Sequence, residues 1–255
     1  PPPPPPFFYT PTPQSQILLR LVGSEMCIRD RIIGGSSGIG LQIVKKLNEE
    51  HNVFVANRTN ESLSGLNHQY IKVDVSKETL DPSGLPDSLD GLVYCPGSIN
   101  LRPFRGLKPE TFIEDFNLNV MGAVRSINAV LKNLNNSSQA SIVLFSTVAV
   151  QIGMPFHSSV AVSKGAIEGL TRSLAAELAP KISVNAIAPS IVNTPLAEKF
   201  LNSESKMERA VERHPLKKVG SADEIANFAI QLLFNSSWMT GQILGIDGGI
   251  GSTKI

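Results

Sequence analysis

The sequence predicts an α/β fold, a doubly wound parallel sheet of about seven strands with helices on both faces. Three observations point to it. From residue 32 onward, short β-rich runs alternate with amphipathic stretches, which implies strand–helix–strand units and a parallel sheet. A glycine-rich loop, "GGSSGIG" (34–40), stands between an apolar strand end and an amphipathic stretch. Towards the other end, "SADEIANFAIQLLF" (221–234) sets Ser221 three residues before Glu224, a capping box ahead of an apolar stripe. With 255 residues, 42% of them hydrophobic, the chain can bury one substantial core, so residues 32–255 are expected to form a single domain.

The first strand ends in Ile32 and Ile33, and a helix follows from about Ile39. "NVFVAN" (52–57) is the second strand, with a shorter helix after Asn60, and "YIKVDV" (70–75) is the third. "GLVYC" (91–95) precedes a helix starting near Pro109, and "SIVLFS" (141–146) precedes one starting near Ser159. "ISVNAIA" (182–188) is followed by the helix from Ala222 and by a last strand, "QILGID" (242–247). Each strand run is short and β-branched-rich, with turn residues on its flanks.

Residues 1–31, "PPPPPPFFYTPTPQSQILLRLVGSEMCIRDR", stand apart: six prolines, neither helical nor alternating periodicity, and a mixed-charge end directly against the glycine loop. They resemble translated adapter or read-through sequence joined to a truncated gene; the alternative is a disordered Pro-rich arm. A buried parallel strand should supply about five apolar residues before the glycines. Only Ile32 and Ile33 do so here, after Arg29, Asp30 and Arg31, so the first strand is expected to be incomplete.

Gly34, Gly38 and Gly40 have the spacing G-x-x-x-G-x-G between strand and helix. Glycines let the backbone approach a pyrophosphate closely, and the helix start directs free N–H groups at it, so Gly34, Ser36, Ser37, Gly38, Ile39 and Gly40 are read as a dinucleotide phosphate cradle. An NAD-selective site needs a carboxylate at the end of the second strand; here Asn57 takes that place and Arg58 follows. A guanidinium suits a 2′-phosphate, which favours NADP(H) over NAD(H), against the plainer reading of Arg58 as a solvated strand-end cation. Asp74 and Val75, at the end of the third strand, are candidate adenine contacts, with Asp74 equally suited to capping a turn.

Lys plus Arg (23) nearly balances Asp plus Glu (22), which gives no reason to expect nucleic acid or an anionic membrane as partner; a small molecule is expected. No apolar run reaches the 18 or more residues of a membrane span. Cys27 and Cys95 cannot build a disulfide framework, no Cys/His cluster has metal-ligand spacing, and a reducing cytoplasm fits best.

Taken in order, "GGSSGIG", "GLVYCPG" (91–97), "NVMG" (119–122), "IVLFSTVA" (142–149), "SKGAIEGLTRSLAAELAP" (163–180), "VNAIAPSIVNTPL" (184–196) and "MTGQILGIDGG" (239–249) resemble the short-chain dehydrogenase/reductase (SDR) family, from Ile32 to about Gly249. The resemblance implies a Rossmann-like domain, hydride exchange between a nicotinamide cofactor and a small carbonyl or alcohol, and a homo-oligomer, dimer or tetramer. It also implies the roles of Asn119, Lys164 and a hydroxyl at Thr147, with neighbouring Ser146 as a substitute. Cys95, Gly97, Lys164, Pro189, Val192 and Thr194 fall at its remaining cofactor positions. Ser190 stands where the family usually has glycine.

The family's acid is a Tyr four residues before the Lys, and that position is Val160. A positioned acid/base is worth about 10²- to 10⁴-fold, so efficient turnover needs a substitute. His157, one helical turn earlier, is the candidate, with Ser158 and Ser159 as relays; it is alternatively a loop residue at the rim. Two readings stay open: an NADP(H)-dependent oxidoreductase with a non-standard proton donor, and a nucleotide-binding protein without turnover. The segment from Thr194 to Gly220 is expected to be a lid over the substrate, with mixed charge that indicates no particular ligand.

Overall fold

A computed structural model describes residues 29–253. Its frame is a seven-stranded parallel sheet ordered β3-β2-β1-β4-β5-β6-β9. The strands are β1 (Arg29–Ile33), β2 (Asn52–Asn57), β3 (Gln69–Lys72), β4 (Gly91–Tyr94), β5 (Ala140–Phe145), β6 (Ile182–Pro189) and, at the far edge, β9 (Ile243–Ile246). The expected doubly wound sheet is therefore what forms. Residues 1–28, most of the Pro-rich segment, lie outside the described residues. The backbone of Arg29–Arg31 is paired: β1 runs beside β2 from Arg29↔Asn52 to Ile33↔Ala56 and beside β4 on its other edge. The first strand thus has a full five-residue length, three residues more than its apolar part alone indicated.

Side chains alternate across the sheet with the period of two that a strand imposes. Along β4, Leu92 and Tyr94 enter one core and Val93 the other; along β5, Ile142 and Leu144 part from Val143 and Phe145 in the same way. The first core is covered by α3 (Gly122–Asn135) and α5 (Ser158–Leu178), the second by α1 (Gly38–Leu47) and α8 (Ala222–Phe234). The capping box at the start of α8 is present: Glu224 N–H donates to Ser221 Oγ at 3.0 Å and Ser221 N–H to Glu224 Oε2 at 3.1 Å.

Several boundaries differ from the expected ones. β3 ends at Lys72, so Asp74 and Val75 lie in the turn beyond it; Val73 and Val75 are buried against the core without continuing the ladder. The helix from Pro109 is not one regular element. α2 (Pro109–Phe116) passes through a π-helical turn, Asn117–Met121, into α3, because the Gly122 N–H passes over Leu118 O to reach Asn117 O. Such turns recur at functional sites. α4 (Val148–Ile152) is a short helix capped by Thr147.

Beyond β6 the chain forms β7 (Val192–Asn193), α6 (Glu198–Leu201) and α7 (Glu204–Glu212) before β8 (Gly220–Ser221) pairs with β7. The expected lid is thus a small helical cap closed at its base by a two-residue ladder. Among the described residues no helix is long and apolar enough to cross a membrane.

Candidate active site

Where β1 and β4 lie side by side, the chain leaves them in opposite directions and opens a crevice at their C-terminal ends. The loops after β1, β4, β5 and β6 meet there. They enclose a cavity of about 1340 Å³, which the residues expected at the site line, except Asn119 and the two expected relays, Ser158 and Ser159.

The glycine loop packs too tightly for side chains. A Cβ on Gly40 would run into the Gly34 carbonyl oxygen, and one on Gly35 would come within 2.8 Å of Val44. Gly34, at φ +81°, lies against the Pro96 ring, and Gly38 faces the Thr194 side chain, so loops some sixty and more than 150 residues away close on the same turn. Ser37, the N-cap of α1, makes no side-chain capping bond, and the first turn carries no acid. The helix start therefore keeps its N–H groups and positive dipole end for an anion.

At the end of β2, Asn57 is 5% exposed and neither its Oδ1 nor its Nδ2 has a partner among the described residues. An unsatisfied buried amide costs about 1–3 kcal/mol, which a ligand offering hydroxyl groups would recover. Arg58 beside it is exposed and lines the cavity. Asp74 Oδ1 accepts bonds from Ser76 Oγ at 2.6 Å and Ser76 N at 3.1 Å, which hold its carboxyl below the usual range. It caps a turn while also lining the cavity.

Lys164 is 8% exposed and its Nζ donates to Phe145 O at 2.8 Å, which pins the ammonium at the C-terminal end of β5. Burial draws its pKa down from 10.5 to about 8, while the Asp115 carboxylate pulls the other way. The Cys95 thiol is pushed up to about 12 by burial and stays protonated. Gly97 explains how the group fits: a Cβ there would stand 3.3 Å from Asn119 Oδ1 and 3.4 Å from Lys164 Nζ.

Asn119 lies fully buried in the π-helical turn, one layer below the cavity wall formed by Asn117 and Leu118. Its Nδ2 donates to Asp115 O at 2.8 Å and Ser98 Oγ at 3.0 Å, while Oδ1 has no partner among the described residues. Asp115, itself buried, accepts from Ser98 Oγ at 2.5 Å and Asn100 Nδ2 at 2.7 Å. Tyr94 supports this turn from below: its phenol donates to Leu118 O at 2.6 Å and fills the space over Gly122. Burial raises the phenol's pKa, so it stays a donor.

Thr147 Oγ1 faces Pro189 O at 3.4 Å, whereas Ser146 Oγ is turned away and donates to Glu168 Oε1 at 2.8 Å. Thr147 is thus the freer of the two hydroxyls. His157 is the N-cap residue of α5, with Nδ1 at 2.7 Å from Pro155 O. A carbonyl oxygen only accepts, so Nδ1 carries the proton and the lone pair of the neutral ring sits on Nε2. Val160, 5% exposed, lines the cavity between His157 and Lys164.

Sequence reasoning missed the partner of Ser190. His214, buried just after α7, donates from Nδ1 to Ala210 O at 2.6 Å, so Nε2 accepts from Ser190 Oγ at 2.8 Å and fastens the cap to the end of β6. Nothing local signals a pair 24 residues apart. The buried Asp115 was missed as well, although it stands one turn before Asn119.

Residues 34–251 match the family model described as enoyl-(acyl carrier protein) reductase. Over 146 residues the chain is 36% identical to a 3-oxoacyl-(acyl-carrier-protein) reductase of Thermotoga maritima, a stretch covering 56% of this chain and 58% of that protein. It is 32% identical over 241 residues to a tropinone reductase homolog of Datura stramonium, covering 86% and 90%. The solved structure of ElxO with NADP bound superposes with a TM-score of 0.80 at 27% identity, covering 89% of this chain and 100% of that one. By the family model over residues 34–251 and the 32% identity to a relative covered over 90% of its length, the chain belongs to the short-chain dehydrogenase/reductase family.

Proposed function

We propose that this chain is an NADP(H)-dependent oxidoreductase acting on a small carbonyl or alcohol through a non-standard proton donor. The observation that carries it is the buried Asn57 amide without a partner, set between the glycine cradle and Arg58. Such a corner suits an adenosine ribose carrying a 2′-phosphate, with the helix start of α1 holding the pyrophosphate. The likeness to the NADP-bound ElxO structure supports the same cofactor. Bound there, a nicotinamide supplies or takes up hydride at the reacting carbon.

This chain's own groups do the rest. The Lys164 ammonium, fixed by Phe145 O and close to Gly97, would hold the cofactor's ribose. The Thr147 hydroxyl orients the carbonyl oxygen. Protonated His157, held through Nδ1 by Pro155 O, delivers a proton from Nε2 to the alkoxide oxygen as it forms, or accepts one in the reverse direction. Val160 has no proton to give and shapes the floor of the site. That same aliphatic side chain favours the second reading, a nucleotide-binding protein without turnover.

The two readings part in one assay. NADPH oxidation over a panel of ketones and aldehydes is expected, with a loss of about 100-fold in His157→Ala and a gain of tenfold or more in Val160→Tyr, the range a positioned acid supplies. Tight NADPH binding without turnover in either form identifies the second reading. Exposed Ile113 and Phe116 on α2 and Val162 on α5 support assembly as a homo-oligomer.

A further inference from the structure

In the sequence the cap's charges are interleaved; on α7 they are sorted. Lys206, Arg209 and Arg213 stand at helical positions i, i+3 and i+7, and all three line the cavity together with Ala210 and His214. Glu204, Glu208 and Glu212, spaced four apart, are exposed and none of them lines it. A period of 3.6 residues thus sets one cationic face towards the cavity and one acidic face away from it. Glu212 pairs outward with Lys217 at 2.9 Å.

The three cations have no carboxylate partner among the described residues. Their hydrogen bonds go to neutral groups: Lys206 Nζ to Lys199 O and Asn202 Oδ1, both at 2.8 Å, and Arg209 Nε to Ser205 O at 3.0 Å. These bonds position the heads without cancelling their charge. The helix dipole does not account for the set. It favours Arg209 in the last turn and Arg213 at the C-cap, but Lys206 sits in the first turn, where a cation is disfavoured. Arg58, just past β2, and Lys77, in the turn after β3, line the same cavity beside Asn57 and Asp74. The same cavity is also lined by apolar Leu196, Phe200, Met154 and Leu101, and by one carboxylate near the catalytic loops, Glu114.

We infer that the cationic face of α7 is an anion subsite, and that the substrate is a carbonyl compound with an apolar body and a carboxylate or phosphate ester remote from the reacting carbon. This rests on the oxidoreductase reading above for the word substrate, though not for the binding of the anion.

The test uses the full chain with NADPH and matched pairs: 4-oxopentanoate and 6-oxoheptanoate against their methyl esters for the carboxylate, 4-oxopentyl phosphate against 5-hydroxypentan-2-one for the phosphate. Calorimetry of the same anions on the NADPH-loaded protein runs beside turnover. The charged member of at least one pair is expected to be favoured by about tenfold or more in kcat/KM, as for a hydrogen bond to a charged group. That ratio is expected to collapse in Arg209→Gln/Arg213→Gln and to persist in Glu204→Gln/Glu208→Gln; both sets of residues are exposed, so the fold should tolerate either. Whichever pair responds assigns carboxylate or phosphate. Equal treatment of charged and neutral members, or no binding of any anion, overturns the proposal. So does a double variant that weakens NADPH itself, which would assign the cations to the cofactor's phosphates. Anion binding lost in the double variant, with no turnover of any compound, upholds the subsite and instead defeats the oxidoreductase reading.

Discussion

On one side of the cavity a Cβ at Gly40 meets backbone, Lys164 is buried and bonded, and Asn57 is fixed with its amide waiting. On the other side exposed Arg209 comes from α7, a nine-residue helix, and exposed Arg213 from its C-cap, and the three buried apolar residues beneath the cap, Ala197, Leu201 and Ala210, form a separate small core. The first side rests on the main sheet; the cap is tied down by β7–β8 and by the bond from Ser190 to His214. Rigid geometry suits a ligand that is the same in every turnover. A lightly packed cap, drawn from the low-stability end of the fold, suits one that must enter and leave.

The comparison can be broken most forcefully at Gly40. Gly40→Ala forces the glycine loop off its helix and is expected to weaken NADPH binding by about 100-fold, the scale of an overpacked site, read by fluorescence titration. A change below threefold would make the cradle as yielding as the cap. Next is Arg58→Ala, expected to cost NADPH about tenfold while leaving NADH nearly unchanged, since only one of them carries the 2′-phosphate. Equal losses would remove the 2′-phosphate from that corner.

A pH series sharpens the contrast through Lys164. Its folded pKa, about 8, lies below the unfolded value of 10.5, so burying the ammonium destabilises the fold in full below about pH 8 and ceases to do so as pH rises through that window. Stability of the wild type relative to Lys164→Met is therefore expected to increase between pH 8 and 10.5 in denaturant titrations, and turnover that needs the ammonium to decline over the same range. Stability of the wild type relative to Arg209→Gln, a change on the exposed cap, should stay flat over that range, and the variant, which keeps Lys164, should show the same decline in turnover. The smallest effect is expected of Tyr94→Phe, which removes one bond to Leu118 O, about 1 kcal/mol of stability, and lowers kcat more than it raises KM by loosening the turn that holds Asn119. An unchanged kcat would leave Tyr94 a packing residue.

Much of the first region could be read from the chain alone, because its determinants are local: glycines at fixed spacing, Ser221 and Glu224 in a capping box, Asn57 and Arg58 at a strand end. That the sheet is parallel and doubly wound followed from alternation of elements. What escaped sequence reading depends on geometry that a one-dimensional pattern does not hold. β3 was expected to reach Val75 because burial and β-branching continue past Lys72, although pairing stops there. The π-helical turn is an extra residue inside an otherwise regular apolar stripe. The charges of α7 look mixed until the helix is wound, and Ser190 finds His214 only once the cap has folded over it.

Tyr94 and Gly122 bear on how such a chain can change over time. The phenol occupies the place where any side chain at 122 would go, and the same phenol holds the Leu118 carbonyl that the Gly122 N–H has passed over. A larger residue at 122 is therefore admissible only in a lineage that has already lost the hydroxyl at 94, whereas loss of the hydroxyl alone is sterically free. Substitution at these two sites has a permitted order, and the shorter route back to a regular helix begins in the strand.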